Sequence, residues 1–395
     1  MQNTLLYFGI VIIAIILTLI LNITLLKSKN KLILVIIAYF IYLLLFMLSE
    51  YLYYFQHISL KSEKESLNSG YDWCSFTFHN NNFKNNGNND YSEGLYDSNY
   101  TMTPKEAVIN KYETYFKYLN LAPGKTLLDL GCGYGQWLLF CKKKGVIVKG
   151  VNLTVSQIEY CKKHYNIDIV YDDFRNYILT TNEKFDAITA IGTLEHLASF
   201  TMTPIQQDNI FNAFFQNINR CLKPNGIFLN SIMLMNPHYP NWTINKDKTT
   251  TNKLNLIDKV HCYNIASLFG CGRYPITTEY IEYAKNCFDI KLIQNITEDY
   301  RWSGIQNGEK HWNYGNIYIN TPYRLLKLIS YFFTDMWFWG RINYTLMHSW
   351  LWQFGGLQKT PIYNNDKSPI ICNLYILQKK EKCIKKYNNS ILKVS

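Results

Sequence analysis

The stretch LLDLGCGYGQWL, residues 127–138, places Gly131, Gly133 and Gly135 within five positions directly behind a run of leucines. Gly131 and Gly133 allow a tight turn and a close approach of backbone to a ligand, while Gly135 lets the next helix pack against the strand. Asp129, just ahead, can accept a hydrogen bond from a cationic ligand group or fix the turn. A dinucleotide site would read G-x-G-x-x-G and close its second strand on an acidic residue. Here the spacing is G-x-G-x-G and the second strand closes on Asn152. Further on, Asp172 and Asp173 end a third strand, and Glu195 and His196 follow a fourth in IGTLEHL. Such side chains can hold a ligand or move a proton, and they can equally cap a turn or pack. The ten cysteines are scattered singly, without a C-x-x-C pair. They read as reduced thiols, and no metal site is expected, since His261 beside Cys262 is the nearest approach to one.

These residues need a scaffold, and the chain beyond residue 100 supplies strands and helices in alternation. Thr103 and Pro104 open a helix, KTLLDL (125–130) is a buried strand, and GQWLLFCKKKG is a helix closed by Gly145. Then come strand 146–153, helix 154–165, strand 167–173, strand 185–192 and a long helix from Pro204 to Leu222. The turn KPNG leads into strand IFLNSIML, IICNLYILQK forms a last strand, and the lysine-rich end reads as a solvated tail. This alternation predicts a parallel sheet covered on both faces, with ligands bound at the carboxyl ends of its strands, where the glycines fall.

The first 55 residues differ in kind. Residues 5–26 carry no charge, and residues 32–48, LILVIIAYFIYLLLFML, are followed by the aromatic-rich SEYLYYF. A bilayer core takes about 20 apolar helical residues, so the two runs predict a transmembrane hairpin, 1–55. A cleaved signal peptide is disfavoured by the missing charged n-region and cleavage site. Residues 56–90, including HNNNFKNNGNND, have neither apolar periodicity nor bulk to bury and read as a flexible linker. The net charge of +11 is spread over a chain only 17% charged, which is a mild excess. Membrane surfaces and anionic small molecules are as compatible with it as nucleic acid. Neither a dense basic patch nor an Asn/Asp-Pro-Pro-Tyr segment favours the latter, so no nucleic-acid partner is expected.

Six fragments in register resemble one family. YSEGLY (91–96) is similar to Y-S-C-A-Y-F, MTPKEA to M-T-L-E-E-A, and LAPGKTLLDLGCGYG to L-x-P-G-x-x-L-L-D-I-G-C-G-W-G. GVNLTVSQ is similar to G-V-T-L-S-x-x-Q, YDDFRN to Q-D-Y-R-D, and IGTLEHL to V-G-M-F-E-H-V. These are patterns of the cyclopropane-fatty-acyl-phospholipid and mycolic acid cyclopropane synthases, class I S-adenosylmethionine-dependent methyltransferases that include sphingolipid methyltransferases with membrane segments. The resemblance implies a Rossmann-like α/β fold with a mostly parallel seven-stranded sheet over 91–395. It implies that Tyr91 and Ser92 cover the methionine end of S-adenosylmethionine, with Gly131 and Gly133 beneath it. Asn152, Leu153 and Gln157 would hold the ribose region, and Asp172 and Asp173 would border the adenine, unless those two simply cap the turn into FRNY.

Methylating an alkene carbon leaves a carbocation, which needs aromatic faces, exclusion of water and a base. The family holds a bicarbonate ion as that base, and its F-E-H glutamate corresponds to Glu195, with His196 beside it. Two departures bear on this. The cysteine of Y-S-C-A-Y is Glu93 here, and the histidine expected just after IFL is replaced by Asn230 or Ser231. A second carboxylate repels bicarbonate. Either Glu93 is itself the proton acceptor, or the enzyme methylates without closing a ring. The aromatic-rich region 276–370 would line the lipid channel, with Tyr314 as its reaction-site tyrosine, and residues 323–339 can be read as a membrane-surface or a core helix.

The expectation is thus a bilayer-tethered enzyme that methylates or cyclopropanates an unsaturated acyl or sphingoid chain of a membrane lipid. The rivals are a small-molecule N-methyltransferase of the same superfamily and a catalytically inactive membrane scaffold. Lys27, Lys29 and Lys31 between the apolar runs would by the positive-inside rule place that loop in the cytosol and the body outside. A cytosolic cofactor and cysteines that read as reduced weigh the other way, and the body is expected in the cytosol.

Overall fold

The computed structural model describes residues 70–73, 90, 92–198, 202–236, 274–303, 322–334, 370–385 and 387–392. The apolar runs at 5–26 and 32–48, Tyr91, Tyr314 and the His261–Cys262 pair lie outside them. Among the described residues no helix is long and apolar enough to cross a membrane.

Helix α1 (Pro104–Tyr118) begins where the sequence says it should. Thr103 accepts from the Glu106 N–H, the Glu106 carboxylate accepts in return from the Thr103 N–H, and Pro104 occupies a first-turn position that needs no donor. The chain then alternates through β1 (Thr126–Leu130), α2 (Gln136–Lys143), β2 (Ile147–Asn152), α3 (Val155–Tyr165), β3 (Ile169–Tyr171), α4 (Phe174–Thr180) and β4 (Phe185–Ile191). Helix α5 (Pro204–Cys221) leads into β5 (Leu222–Met235), followed by α6 (Thr277–Lys285), β6 (Phe288–Asn295), α7 (Pro322–Thr334) and β7 (Ile370–Lys379). The expected KPNG turn is looped out within β5: Leu222 pairs with Phe185 and Ile227 with Ala187, leaving residues 223–226 unpaired, with Asn225 at φ 59°.

The seven strands run in the order β3-β2-β1-β4-β5-β7-β6. The first five are mutually parallel, and β7 inserts antiparallel to both β5 and β6. This is the expected Rossmann-like, mostly parallel sheet. The chain leaves β1 toward β2 on one side and returns to β4 on the other, which opens a crevice at their carboxyl ends. Successive residues of β1 face opposite layers. Leu127 joins Trp137, Leu138 and Cys161 of α2 and α3, whereas Leu128 and Leu130 join Phe174 of α4 and Phe211, Phe214 and Ile218 of α5.

Three expectations are corrected. Cys287 and Cys383 are joined in a disulfide that ties the start of β6 to the segment after β7, so the cysteines are not uniformly reduced. Cys132, Cys141, Cys161, Cys221 and Cys372 are buried free thiols. The carboxyl-terminal segment is not simply solvated: Leu392 is buried and Asn389 Oδ1 accepts from Gln216 and Asn217 on α5. The lysines there dominate the composition, but Leu392 beyond them still reaches the core. Within the stretch read as a flexible linker, residues 70–73 form a helical turn whose Trp73 is 0% exposed. A single indole buries enough apolar area to fix a short segment that polar neighbours disguise.

Candidate active site

The glycine segment follows β1 at the crevice. Gly131 has φ +71°, and a Cβ on it would meet Thr193 Oγ1 at 2.6 Å, because that hydroxyl reaches across to Leu130 O at 2.9 Å. Gly133 has φ +52° and nothing within 4 Å of where its Cβ would be, so open space lies above its backbone. Gly135 has a different partner from the one expected. Its missing side chain admits Cys161 Sγ of α3, which an added Cβ would meet at 2.8 Å, so it serves packing between helices.

Asn152 at the end of β2 organises the adjoining wall. Its Nδ2 donates to Gly133 O at 3.2 Å and Gln157 Oε1 at 2.8 Å, and its Oδ1 accepts from the Leu153 N–H at 2.8 Å. Gln157 is 2% exposed, and its Nε2 has no hydrogen-bond partner. A buried amide donor left unmet costs roughly 1–3 kcal/mol, and a ligand hydroxyl or carboxylate would relieve that. Asp129 is buried with Oδ1 accepting from Thr189 at 2.7 Å, and burial lifts its carboxyl to about 7.

The two aspartates after β3 part company. Asp173 caps α4 through the Arg175 N–H at 2.8 Å and forms a buried ion pair with the Arg175 guanidinium at 2.8 Å. Its oxygens are engaged within the fold, so the capping alternative describes it. Asp172 is half-buried and accepts from Asn176 Nδ2 at 2.8 Å.

Residues 92–96 cross over α1 and are pinned along their length. Lys111, 2% exposed, donates to Asp90 Oδ2 at 3.1 Å, Ser92 Oγ at 2.6 Å and Glu93 O at 2.9 Å. Tyr112 donates to the same Asp90 carboxylate. Burial raises the Asp90 carboxyl, but the Lys111 charge and these hydrogen bonds outweigh it and hold the group below its ordinary value. Gly94 N–H donates to Ser303 Oγ at 3.0 Å and Tyr96 N–H to Asp299 Oδ1 at 2.6 Å. The Ser92 hydroxyl is therefore held in the Asp90–Lys111 cluster.

This arrangement leaves the Glu93 carboxyl in the interior, where burial, with the charges of Asp90 and Glu195 adding, pushes it to about 7. Glu195 lies on the short 3-10 turn Leu194–His196 after β4 and is 3% exposed. Its Oε1 accepts from the Met233 N–H at 2.8 Å, its Oε2 has no partner, and burial lifts it likewise to about 7. His196 Nε2 lies 2.7 Å from Tyr71 OH.

Sequence reasoning missed Tyr300. On the helical turn 297–303, its hydroxyl lies 2.9 Å from Ser231 Oγ, at one of the positions where a histidine was expected. Burial raises that hydroxyl, and the Cys372, Glu93, Tyr115 and Glu195 groups add to the rise, so Tyr300 shares the interior with both carboxyls. The only signal was its membership in the aromatic run 298–316. Asn230 donates to Tyr280 OH at 2.6 Å.

A Rossmann-like, mostly parallel seven-stranded sheet with a glycine turn at its switch point defines a class I methyltransferase architecture. The chain belongs to the mycolic acid cyclopropane synthetase family of S-adenosylmethionine-dependent methyltransferases, whose family model matches residues 59–312. It is 28% identical over 207 residues to cyclopropane mycolic acid synthase 3 of Mycobacterium tuberculosis, covering 50% of this chain and 66% of that protein. It is 30% identical over 115 residues to cyclopropane-fatty-acyl-phospholipid synthase of Escherichia coli, covering 28% of this chain and 27% of that one. The match thus spans less than two thirds of each of these relatives. The crystal structure of mycolic acid cyclopropane synthase CmaA1 complexed with SAH and CTAB superposes with a TM-score of 0.57 at 20% identity, covering 81% of this chain and 99% of that one, which shows the shared fold. The unmet donor of Gln157 and the open space above Gly133 fit an S-adenosyl cofactor at the loop.

Proposed function

We propose that the protein methylates an unsaturated carbon in the acyl or sphingoid chain of a membrane lipid. The observation that carries this reading is the orphaned Oε2 of Glu195, a buried carboxylate oxygen with no protein partner in an aromatic-rich interior. When bound, S-adenosylmethionine supplies an electrophilic methyl group on a sulfonium, to which an alkene carbon can bond. The Gly131–Gly133 backbone, Asn152, Leu153 and Gln157 hold the cofactor, with Asp129 and Asp172 bordering its polar groups and Tyr91 and Ser92 covering it. A surplus of carboxylates over cations, Asp129, Glu93 and Glu195 against Lys111 already paired with Asp90, favours a positively charged ligand in this crevice.

The chain's own residues complete the reaction by taking a proton. A methylated alkene carries a carbocation; loss of a proton from the transferred methyl group to a carboxylate closes a cyclopropane ring, whereas loss of one from an adjacent chain carbon leaves a methyl-branched double bond. Glu93 and Glu195 are each lifted to about 7, chiefly by burial, so either can take up a proton near neutral pH. The ionised member accepts the proton, and the reaction then needs no bicarbonate. Tyr300 and Tyr280 present aromatic faces and hydroxyls to the same interior, and His196 positions the turn that bears Glu195.

Residues 1–55 act as a bilayer hairpin, 56–90 as the connection, and 91–395 as the catalytic body with the substrate channel in 276–370. Tethering raises the effective concentration of a substrate that never leaves the bilayer. Exposed Leu326 and Ile329 on α7 suit the same surface. Of the two grounds for a cytosolic body, the supply of S-adenosylmethionine stands, while the Cys287–Cys383 disulfide removes the other.

The test is expression of the full-length protein in a host with unsaturated lipids, fed methyl-labelled methionine, followed by mass spectrometry of the lipid extract. Label in an acyl or sphingoid chain, with fragments showing a ring or a branch, is the expected result. S-adenosylmethionine binding without any labelled lipid would point to a soluble amine acceptor and refute the lipid reading.

A further inference from the structure

Gly70 to Trp73 form a turn that touches three separate parts of the body. Tyr71 OH lies 2.7 Å from His196 Nε2, with the two rings edge to face at 5.6 Å. Asp72 Oδ1 accepts from Ser156 Oγ at 3.2 Å, next to the Gln157 whose amide faces the cofactor loop. Trp73 is fully buried with Leu95, Val108 and Tyr112, and meets the Tyr331 ring of α7 edge to face at 5.3 Å. The turn therefore spans the crevice from the Glu195–His196 element to the start of α3, with its far end nailed into the core.

This geometry has a mechanical consequence. Glu195 sits on a three-residue 3-10 turn, which is held by few backbone bonds of its own: His196 N–H to Thr193 O at 3.1 Å and Leu197 N–H to Leu194 O at 3.1 Å. Glu195 Oε1 is anchored to Met233, but the orientation of the turn depends on what grips its other side chains. Tyr71 grips the adjacent imidazole from two positions before Trp73, which is immobilised in the core.

We propose that Tyr71 is a positioning residue of the active site. It acts through His196 to fix the turn that bears Glu195, so that a segment upstream of the glycine-loop domain completes the catalytic centre. The second apolar run ends at Leu48, and the turn begins at Gly70. The clip is thus also the point where the proposed bilayer hairpin is fastened to the site. The catalytic part of this inference rests on the proposed methyl transfer; the structural part does not.

The experiment uses the full-length protein in detergent and the variants Tyr71→Phe, His196→Gln and both together. Phenylalanine keeps the ring contact and removes only the hydroxyl, and the loss of this partly buried hydrogen bond corresponds to about a tenfold change at most. Amide hydrogen exchange across 192–198 should speed up about tenfold in Tyr71→Phe while Trp73 and the core strands keep their protection. The turnover number should fall about tenfold with unchanged affinity for S-adenosylmethionine. The double variant should be no worse than His196→Gln alone, because a residue acting through another has nothing left to hold. Unchanged exchange at 192–198 overturns the inference whatever the acceptor proves to be, and so does faster exchange with wild-type turnover. If the wild type labels no lipid, the lipid reading fails by itself, and the exchange result still decides the positioning role.

Discussion

Replacing Glu195 with glutamine removes a charge and a proton acceptor at once, and the two losses have separable signatures. The carboxyl rises from an ordinary 4.5 to about 7 because burial disfavours its ionised form. That difference is worth about 3 kcal/mol of folding stability, and its sign is fixed by linkage. Below pH 4.5 the group is protonated in folded and unfolded chains alike and has no effect. As pH rises toward 7 the unfolded chain releases a proton that the folded chain keeps, so stability declines, and the full penalty is present above pH 7. Glu195→Gln escapes it: denaturant unfolding should show wild type and variant equal near pH 4 and the variant more stable by about 3 kcal/mol at pH 8. Turnover should move the opposite way, falling about 10²–10⁴-fold, the usual worth of a general base, with S-adenosylmethionine affinity by calorimetry unchanged. Wild-type turnover should itself rise with pH through an apparent midpoint near 7. Glu93→Gln should lower the rate if Glu93 is the acceptor, and leave the midpoint near 7 if Glu195 is, since burial rather than Glu93 raises that group. A Glu195→Gln variant with turnover within threefold of wild type, or a stability difference that ignores pH, would refute the reasoning.

Three other perturbations address the scaffold. Gly133→Val fills the open space above the loop at a φ of +52° and should abolish S-adenosylmethionine binding in a calorimetric titration while the thermal transition survives. Lys111→Met leaves the partly buried Asp90 carboxylate without its cation and should destabilise by about 3 kcal/mol, seen as a lower denaturant midpoint. Cys287→Ser opens a link spanning 96 residues and should lose about 2–5 kcal/mol, with a matching loss when the wild type is reduced; a reductant-insensitive transition would contradict that role.

Much of this site could be read locally. Gly131 and Gly133 announce a backbone approach because glycine takes up their left-handed conformations without a side chain filling the crevice, and Asn152 at the end of β2 ruled out the acidic ribose contact of a dinucleotide site. Thr103 and Pro104 fixed the start of α1 through bonds made within one turn. Glu195 and Glu93 were legible as candidates through their places in LEHL and YSEGLY. The two aspartates of YDD could not be told apart, since only folding shows that Arg175 claims Asp173. Gly135 was assigned to the strand, yet its neighbour is Cys161, one helix away.

What the sequence determined by itself is what depends on short-range physics: the alternation of strand and helix, the capped helix starts, the bare turn after β1 and two segments apolar enough for a bilayer. Tertiary structure decided which distant residues share an interior. Ser231 meets Tyr300 across 69 positions, Tyr71 meets His196 across 125, and Cys287 bonds Cys383 across 96. No local propensity encodes such pairings, because they follow from the order of strands in the sheet and from burial in the two cores on its opposite faces. The raised carboxyls of Glu93 and Glu195 belong to the same category, since desolvation is a property of the closed fold and not of the residue.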